Sequence, residues 1–429
     1  MTSDLRRWLR GDFARHVASL GSGTALGQLI VVAVTPLLTR LYTPEDMGLF
    51  GLFASFLAIA SVAATLRLDF AIATTADRET ALRLLALCLV VTPLASVLLG
   101  ALLYLLIRHD VFAYGLLPLW TVPLGIVALA ATGAFVALRC WHVARRSFTA
   151  VGRAMVAQGT ARAVASVLLG LPAAGWAGLA AGDLAGRLFG IGRLWREAGD
   201  ELQQARRGGR LRRLGEELSR ARHFPLVVLP SSLVDALAAA LPLPFIAWMF
   251  GAAEAGQFAL VWRVAGLPGG LIAASVGDVF HAHATAARSV GPPQVRRLLL
   301  DTMRMLGILA VAIYVPLCLV APWVFEWVFG APWRMAGEML LLLAPMWLTS
   351  MVVSPVSRLP MVLGRPQLKL VFDTCFLLLP LAALAAFASH GVLVAVFAYG
   401  VAAAAAYAIF ALLLYHAAGR RAVEARPAA

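Results

Sequence analysis

The feature that most constrains this chain is its repeated runs of about twenty apolar residues. A helix needs about twenty such residues to cross the hydrocarbon core of a bilayer, and twelve stretches of the sequence meet or approach that length. They run roughly over 17–39, 47–66, 84–107, 114–138, 150–171 and 174–192, and then over 224–249, 255–276, 303–328, 337–357, 368–388 and 391–415. The composition agrees: 61% of the 429 residues are hydrophobic and only 14% are charged. That apolar surplus exceeds what a water-soluble core hides, so the chain requires lipid as solvent.

The basic residues test this layout. Lys and Arg collect in the cytoplasmic loops of membrane proteins. With the N-terminus inside, three of the 36 basic residues (Arg40, Arg108, Arg334) fall on the outer side. Three more (Arg162, Arg187, Arg263) fall within spans, and all the rest fall on the inner side. One helix too many or too few would reverse every loop beyond the error. The net charge of +14 is therefore membrane topology and does not point to nucleic acid. The layout predicts a multi-pass protein with both termini cytoplasmic. The basic N-terminus reads as a short amphipathic foot around Trp8 before a first retained helix. It lacks a clear small-residue cleavage site.

The longest polar stretch, 193–223, divides the spans six and six. The expected organisation is an N-terminal lobe 1–192, a basic cytoplasmic connector 193–223 and a C-terminal lobe 224–429. The connector reads as amphipathic, with Glu216 and Arg220 spaced for a helical pair, and as either a solvated linker or a headgroup-binding segment. Internal similarity supports two related halves. PLLTRLYTPEDMGLFGL (36–52) and PFIAWMFGAAEAGQFAL (244–260) align at an offset of 208, matching Pro36 with Pro244, Asp46 with Glu254 and Gly48 with Gly256. Six helices per half return the chain to its starting side, so the halves would be parallel repeats around a central cavity. The fold class is therefore all-α integral membrane, with about twelve transmembrane helices in two six-helix lobes. Pro93, Pro123, Pro230, Pro268, Pro316, Pro345 and Pro380 fall inside spans, where they kink helices. Gly23/Gly27 and Gly178/Gly182/Gly186 form small-residue faces for close packing within a lobe.

Ionisable groups at membrane depth are costly and face a cavity or a partner. Arg162, Arg187 and Arg263 are candidate cavity cations, joined by Arg67 at an inner helix end. Guanidinium forks suit phosphate oxygens. Asp183 and Arg187, four apart, either neutralise each other or share that cavity. Asp235, Asp183 and Asp373 are candidates for a coupling proton or sodium ion, and Arg40 is a candidate outer gate. The four cysteines are isolated, the histidines His281 and His283 point to different sides of a helix, and no catalytic motif occurs. No metal, no cofactor and no enzymatic activity are expected. No outer loop is long enough to hold the catalytic domain of a membrane glycosyltransferase or polymerase.

The stretch TPLLTRLYTPEDMGLFGLFASFLAIASVAATLRLDFAIA (35–73) resembles the opening of Wzx-like polysaccharide flippases of the multidrug/oligosaccharidyl-lipid/polysaccharide exporter superfamily. The resemblance rests on Arg40, Tyr42, Pro44, Glu45, Gly48, Phe50, Arg67, Asp69, Ala71 and Ile72. A second similarity, over 224–280, rests on Pro225, Pro230, Ser231, Gly256, Phe258, Leu267, Pro268, Gly277, Asp278 and Phe280. Asp235 stands where the family commonly has Asn, and Arg263 where lipid II relatives also tend to carry Arg. The resemblance implies a two-lobed bundle with a cationic cavity in the bacterial inner membrane. It implies an undecaprenyl-pyrophosphate-linked oligosaccharide as cargo, alternating access driven by an ion gradient, and partnership with membrane lipid and other polysaccharide assembly proteins. Two alternatives stay open: a cation-coupled drug or metabolite exporter of the same superfamily, and a membrane glycosyltransferase or polymerase.

Overall fold

The structure is a computed structural model and describes residues 12–75, 77–172, 174–207 and 214–419. The foot around Trp8 lies outside them. Every regular element among the described residues is helical. By contact the chain divides into two compact units, Met1–Ala255 and Gly256–Ala429.

The first unit begins with α1 (Asp12–Leu41), α2 (Pro44–Ala64) and the short α3 (Leu68–Thr74). It continues through α4 (Arg78–Arg108), α5 (Thr121–Ala144), α6 (Phe148–Gly170) and α7 (Trp176–Arg207), then α8 (Leu214–Arg220), α9 (Leu229–Ala240) and α10 (Pro242–Phe250). The next helix, α11 (Ala252–Val290), passes from this unit into the second. There follow α12 (Pro292–Phe329), α13 (Arg334–Leu342), α14 (Ala344–Val353), α15 (Leu359–Val362), α16 (Gln367–Ala386) and α17 (Val392–Ala418).

Eight of these helices are long and apolar enough to span a membrane, and two bent pairs bring the number to ten. The bends are 42° between 224–240 and α10, and 55° between 331–342 and 344–362. Each has an identifiable cause. Pro242 opens α10 and Pro345 lies in the first turn of α14, and in both places the ring removes a backbone donor. Helices α6 and α7 complete the twelve expected segments. They are less apolar because they carry charge at depth.

The turn between α1 and α2 shows how the sequence builds a tight corner. Thr43 caps α2 through a reciprocal pair with Asp46, and Pro44 occupies the first turn, where no donor is needed. The second copy at offset 208 reproduces the break within one residue: α1 ends at Leu41 and α10 at Phe250, while α2 starts at Pro44 and α11 at Ala252.

Among the described residues of 193–223, both 193–207 and 214–220 are helical. α7 continues 15 residues past the expected end of its span, and Leu194, Ala198 and Ala205 are buried against α4, α5 and α3. Its acidic residues meet basic helix ends. Arg78 donates to Glu201 at 2.8 Å, Arg145 also donates to Glu201, and Arg83 donates to the buried Glu217 at 3.2 Å. Burial alone would raise the Glu201 carboxyl, but the hydrogen bonds from Arg145 and Arg78 prevail and hold it below its ordinary value. His142, fully buried, places Nε2 3.0 Å from the Leu194 carbonyl and Nδ1 3.7 Å from Glu197. These described residues dock because their apolar positions join the core while their acidic positions meet basic helix ends.

Candidate functional site

The charged centre of the first unit forms where α5, α6 and α7 pack. The Gly178/Gly182/Gly186 face lets α7 approach α6 closely. A Cβ at Gly186 would stand 2.8 Å from both the Arg162 Cβ and the Gln158 carbonyl, so only glycine admits this spacing. The close approach sets Asp183 of α7 opposite Arg162 of α6. One carboxylate oxygen of Asp183 lies 3.2 Å from Arg162 Nη1; the other accepts from Arg187 Nε at 2.8 Å. Arg187 Nη1 donates onward to the Thr132 hydroxyl of α5 at 2.6 Å, and that hydroxyl donates to the Ala128 carbonyl at 2.6 Å. The Arg162 guanidinium also stands 5.8 Å from the Phe50 ring of α2.

The result is a triad of two guanidiniums on one carboxylate. Asp183 is buried, with 8% of its side chain accessible, whereas Arg162 and Arg187 keep 31% and 19%. The pairing expected of Asp183 and Arg187 is present, and Arg162 shares it. The cluster therefore carries one surplus positive charge, less than two independent arginines would offer. That surplus sits on the two groups that remain accessible.

Arg67 belongs to a different cluster and shares no contact with the triad. The break between α2 and α3 puts Leu66 and Arg67 in left-handed conformation, with φ of 49° and 58°. Such geometry is strained for a residue with a side chain. It lays the Arg67 guanidinium over Phe70 at 4.5 Å and brings Nη1 to 3.7 Å from Asp69. Asp69, buried, accepts from the Thr65 hydroxyl at 2.9 Å, and Arg67 Nε is buried without a partner. Asp373 is buried on α16, where Lys369 one turn earlier donates to it. Arg40 is exposed and bonds back to the Pro36 carbonyl of its own helix at 3.2 Å. Asp235 is exposed on α9, and Arg263, in the second unit, is half-buried on α11.

Two sets of contacts were not expected from the sequence. Tyr42 and Asp46, both named there for their motif and repeat positions, clamp the α1–α2 corner. The buried Tyr42 hydroxyl donates to the Ser166 carbonyl at 2.7 Å, and Asp46 accepts from the Trp176 backbone at 2.9 Å. Their place in the family-like motif is thus explained by architecture. In the second unit an aromatic cluster surrounds the position next to Arg263. Trp262 lies 4.7 Å from Phe258 and 5.0 Å from Trp347, and Trp347 stacks on Tyr314 at 6.0 Å. The Trp347 indole N–H is buried without a partner.

Residues 37–338 match the family model described as polysaccharide biosynthesis protein. The chain belongs to this family. Among curated proteins, none matches its sequence significantly. Solved structures share its fold at low identity. The lipid II flippase MurJ, in an inward closed conformation, superposes with a TM-score of 0.66 at 13% identity, over 94% of this chain and 86% of that one. A transporter of the MOP superfamily from Pyrococcus furiosus gives 0.60 at 15% identity, over 95% of each chain. An inward-facing multidrug resistance MATE family transporter gives 0.59 at 17% identity, over 93% of this chain and 94% of that one. The fold is that of MOP-superfamily transporters and flippases, and it makes this family member a multi-pass membrane protein.

Proposed function

We propose that this protein flips a lipid-linked oligosaccharide, held by a polyprenyl diphosphate, across the bacterial inner membrane by alternating access. The observation that carries this reading is the Arg162–Asp183–Arg187 triad, a buried carboxylate between two partly accessible guanidiniums with surplus positive charge, in a bundle that belongs to a polysaccharide biosynthesis family. A diphosphate offers more charge and more acceptor oxygens than one carboxylate, so it competes with Asp183 for the same two guanidiniums. Protonation of Asp183 weakens its own hold and frees both arginines. Headgroup binding and ion coupling would then meet at one residue. Arg263 is a further headgroup ligand on this reading, Asp235 a further coupling group and Arg40 an outer-gate residue. For Asp373 and Arg67, the pairs with Lys369 and Asp69 favour structural roles. The lobes of the proposed cycle are 1–192 and 224–429, joined by 193–223.

A drug exporter for hydrophobic cations would also use a buried carboxylate, and Asp183 is one. Its two arginine partners make the cluster repel cations, which favours the anionic cargo. The test is genetic. Deleting the gene and complementing with Arg162→Gln/Arg187→Gln should leave lipid-linked intermediates accumulated and surface glycan absent, at unchanged protein level. Normal glycan in the double variant would overturn the site assignment.

A further inference from the structure

The second unit carries a cavity that the proposed cargo site does not use. It has a volume of about 880 Å³ and opens at the inner end of α12. Arg296, Arg297, Arg304 and Asp301 line it, and Gly419, just past α17, closes one side. Arg297, Leu300, Asp301 and Arg304 recur at helical spacing and so share one face of α12. From Arg296 to Arg304 the lining climbs about 12 Å along the helix toward the membrane. Arg296 lies over the Tyr415 ring at 3.7 Å, and no described carboxylate pairs with Arg296, Arg297 or Arg304.

Beside it on α12, from Met303 onward, runs an apolar groove of about 310 Å³. Met303, Gly307 and Val311 of α12 line it, with Val352 of α14 and Ala408 of α17 opposite. The groove exists because position 307 has no side chain: a Cβ there would meet only Val352, at 4.0 Å. A cationic cup at the inner surface thus adjoins an apolar slot at membrane depth. That is the shape of an amphiphile with an anionic head, and anionic phospholipids concentrate in the cytoplasmic leaflet.

We infer that this cup and groove form a binding site for an anionic phospholipid of the cytoplasmic leaflet. Arg296, Arg297 and Arg304 hold its phosphate, and one chain lies along Gly307. The inference needs only the membrane placement and is independent of the cargo. The test is thermal unfolding of the purified full chain titrated with short-chain phosphatidylglycerol. Phosphatidylglycerol should raise the melting temperature and phosphatidylcholine should not. Arg296→Gln/Arg297→Gln/Arg304→Gln should weaken the response about a hundredfold, at roughly fivefold per charge. The corresponding triple lysine variant should keep most of it. Gly307→Leu, which fills the groove and leaves the arginines in place, should also weaken it and serves if the glutamine variant is not recovered. An equal response to phosphatidylcholine, or an undiminished one in both the glutamine variant and Gly307→Leu, would overturn the inference. So would equal protection by inorganic phosphate alone, which marks a free-anion site. Stronger protection by a short polyprenyl diphosphate, lost in the same variant, would assign the pocket to the cargo and overturn the lipid assignment.

Discussion

Replacing Asp183 with Asn tests the triad at its hinge. The wild-type cluster holds two positive charges on one negative, with contacts of 2.8 and 3.2 Å. Removing one partner of a buried ion pair leaves the other charge uncompensated and costs about 3–5 kcal/mol. Here the stranded groups keep 31% and 19% of their side-chain exposure, so they recover part of their hydration. The amide also still accepts one hydrogen bond. The expected loss therefore falls at the low end, about 3 kcal/mol. Adding Arg187→Gln returns the net charge of the cluster to its original value. The double variant should then be more stable than the two single losses predict, by about 1.5 kcal/mol. Reversible unfolding in mixed micelles, followed by tryptophan fluorescence, measures each corner of this cycle. Asp183→Asn within about 0.5 kcal/mol of wild type, or additive single losses, would refute the argument that the triad is an electrostatic unit.

The α1–α2 corner should yield to Tyr42→Phe and Asp46→Ala by about 1 and 2 kcal/mol, read in the same unfolding assay. The first removes the buried bond to Ser166; the second removes the Asp46 half of the α2 capping box and the bond to Trp176, while the Thr43 cap remains. Gly186→Leu should cost about 1–3 kcal/mol or more, because the new side chain meets Arg162 and the Gln158 carbonyl on α6. Glu201→Gln should remove a pH dependence. The folded carboxyl is held below its ordinary value of 4.5, so its contribution is fully present above pH 4.5 and is lost as pH falls through the folded value. The wild-type protein should thus lose stability over that acid range, and the variant should lose less. An identical pH profile for the two proteins would contradict the pairing of Glu201 with Arg78 and Arg145.

Much of the fold is legible because lipid imposes simple rules. Apolar run length and basic asymmetry place twelve segments, and the family-like motif over 35–73 points to the family that the match over 37–338 shows. The site is legible only where partners are close in sequence. Asp183 and Arg187, four apart on one helix, form the pair that their spacing allows. The share of Asp183 taken by Arg162 depends on how closely α6 and α7 approach. The glycine face hinted at that approach without naming what stood opposite. Arg67 and Asp69, two apart, would diverge on a helix. They meet because two successive residues adopt left-handed geometry, which no local composition announces. Lys369 and Asp373 stand four apart on one helix, the same spacing signal, and they pair. The polarity of 193–223 does not show which of its positions are buried. Its acidic positions find partners on helix ends more than a hundred residues away in sequence.

The central claim, that this protein carries a diphosphate-linked glycan across a bilayer, is tested most directly by reconstitution. Purified protein in sealed vesicles, loaded with a lipid-linked oligosaccharide on one leaflet, would be challenged with an impermeant glycosidase on the other side. The account predicts protein-dependent exposure of the sugar, lost in Arg162→Gln/Arg187→Gln and kept in Arg40→Gln at reduced rate. Glycan that stays protected with active, correctly folded protein, or exposure unchanged by loss of both arginines, would contradict it.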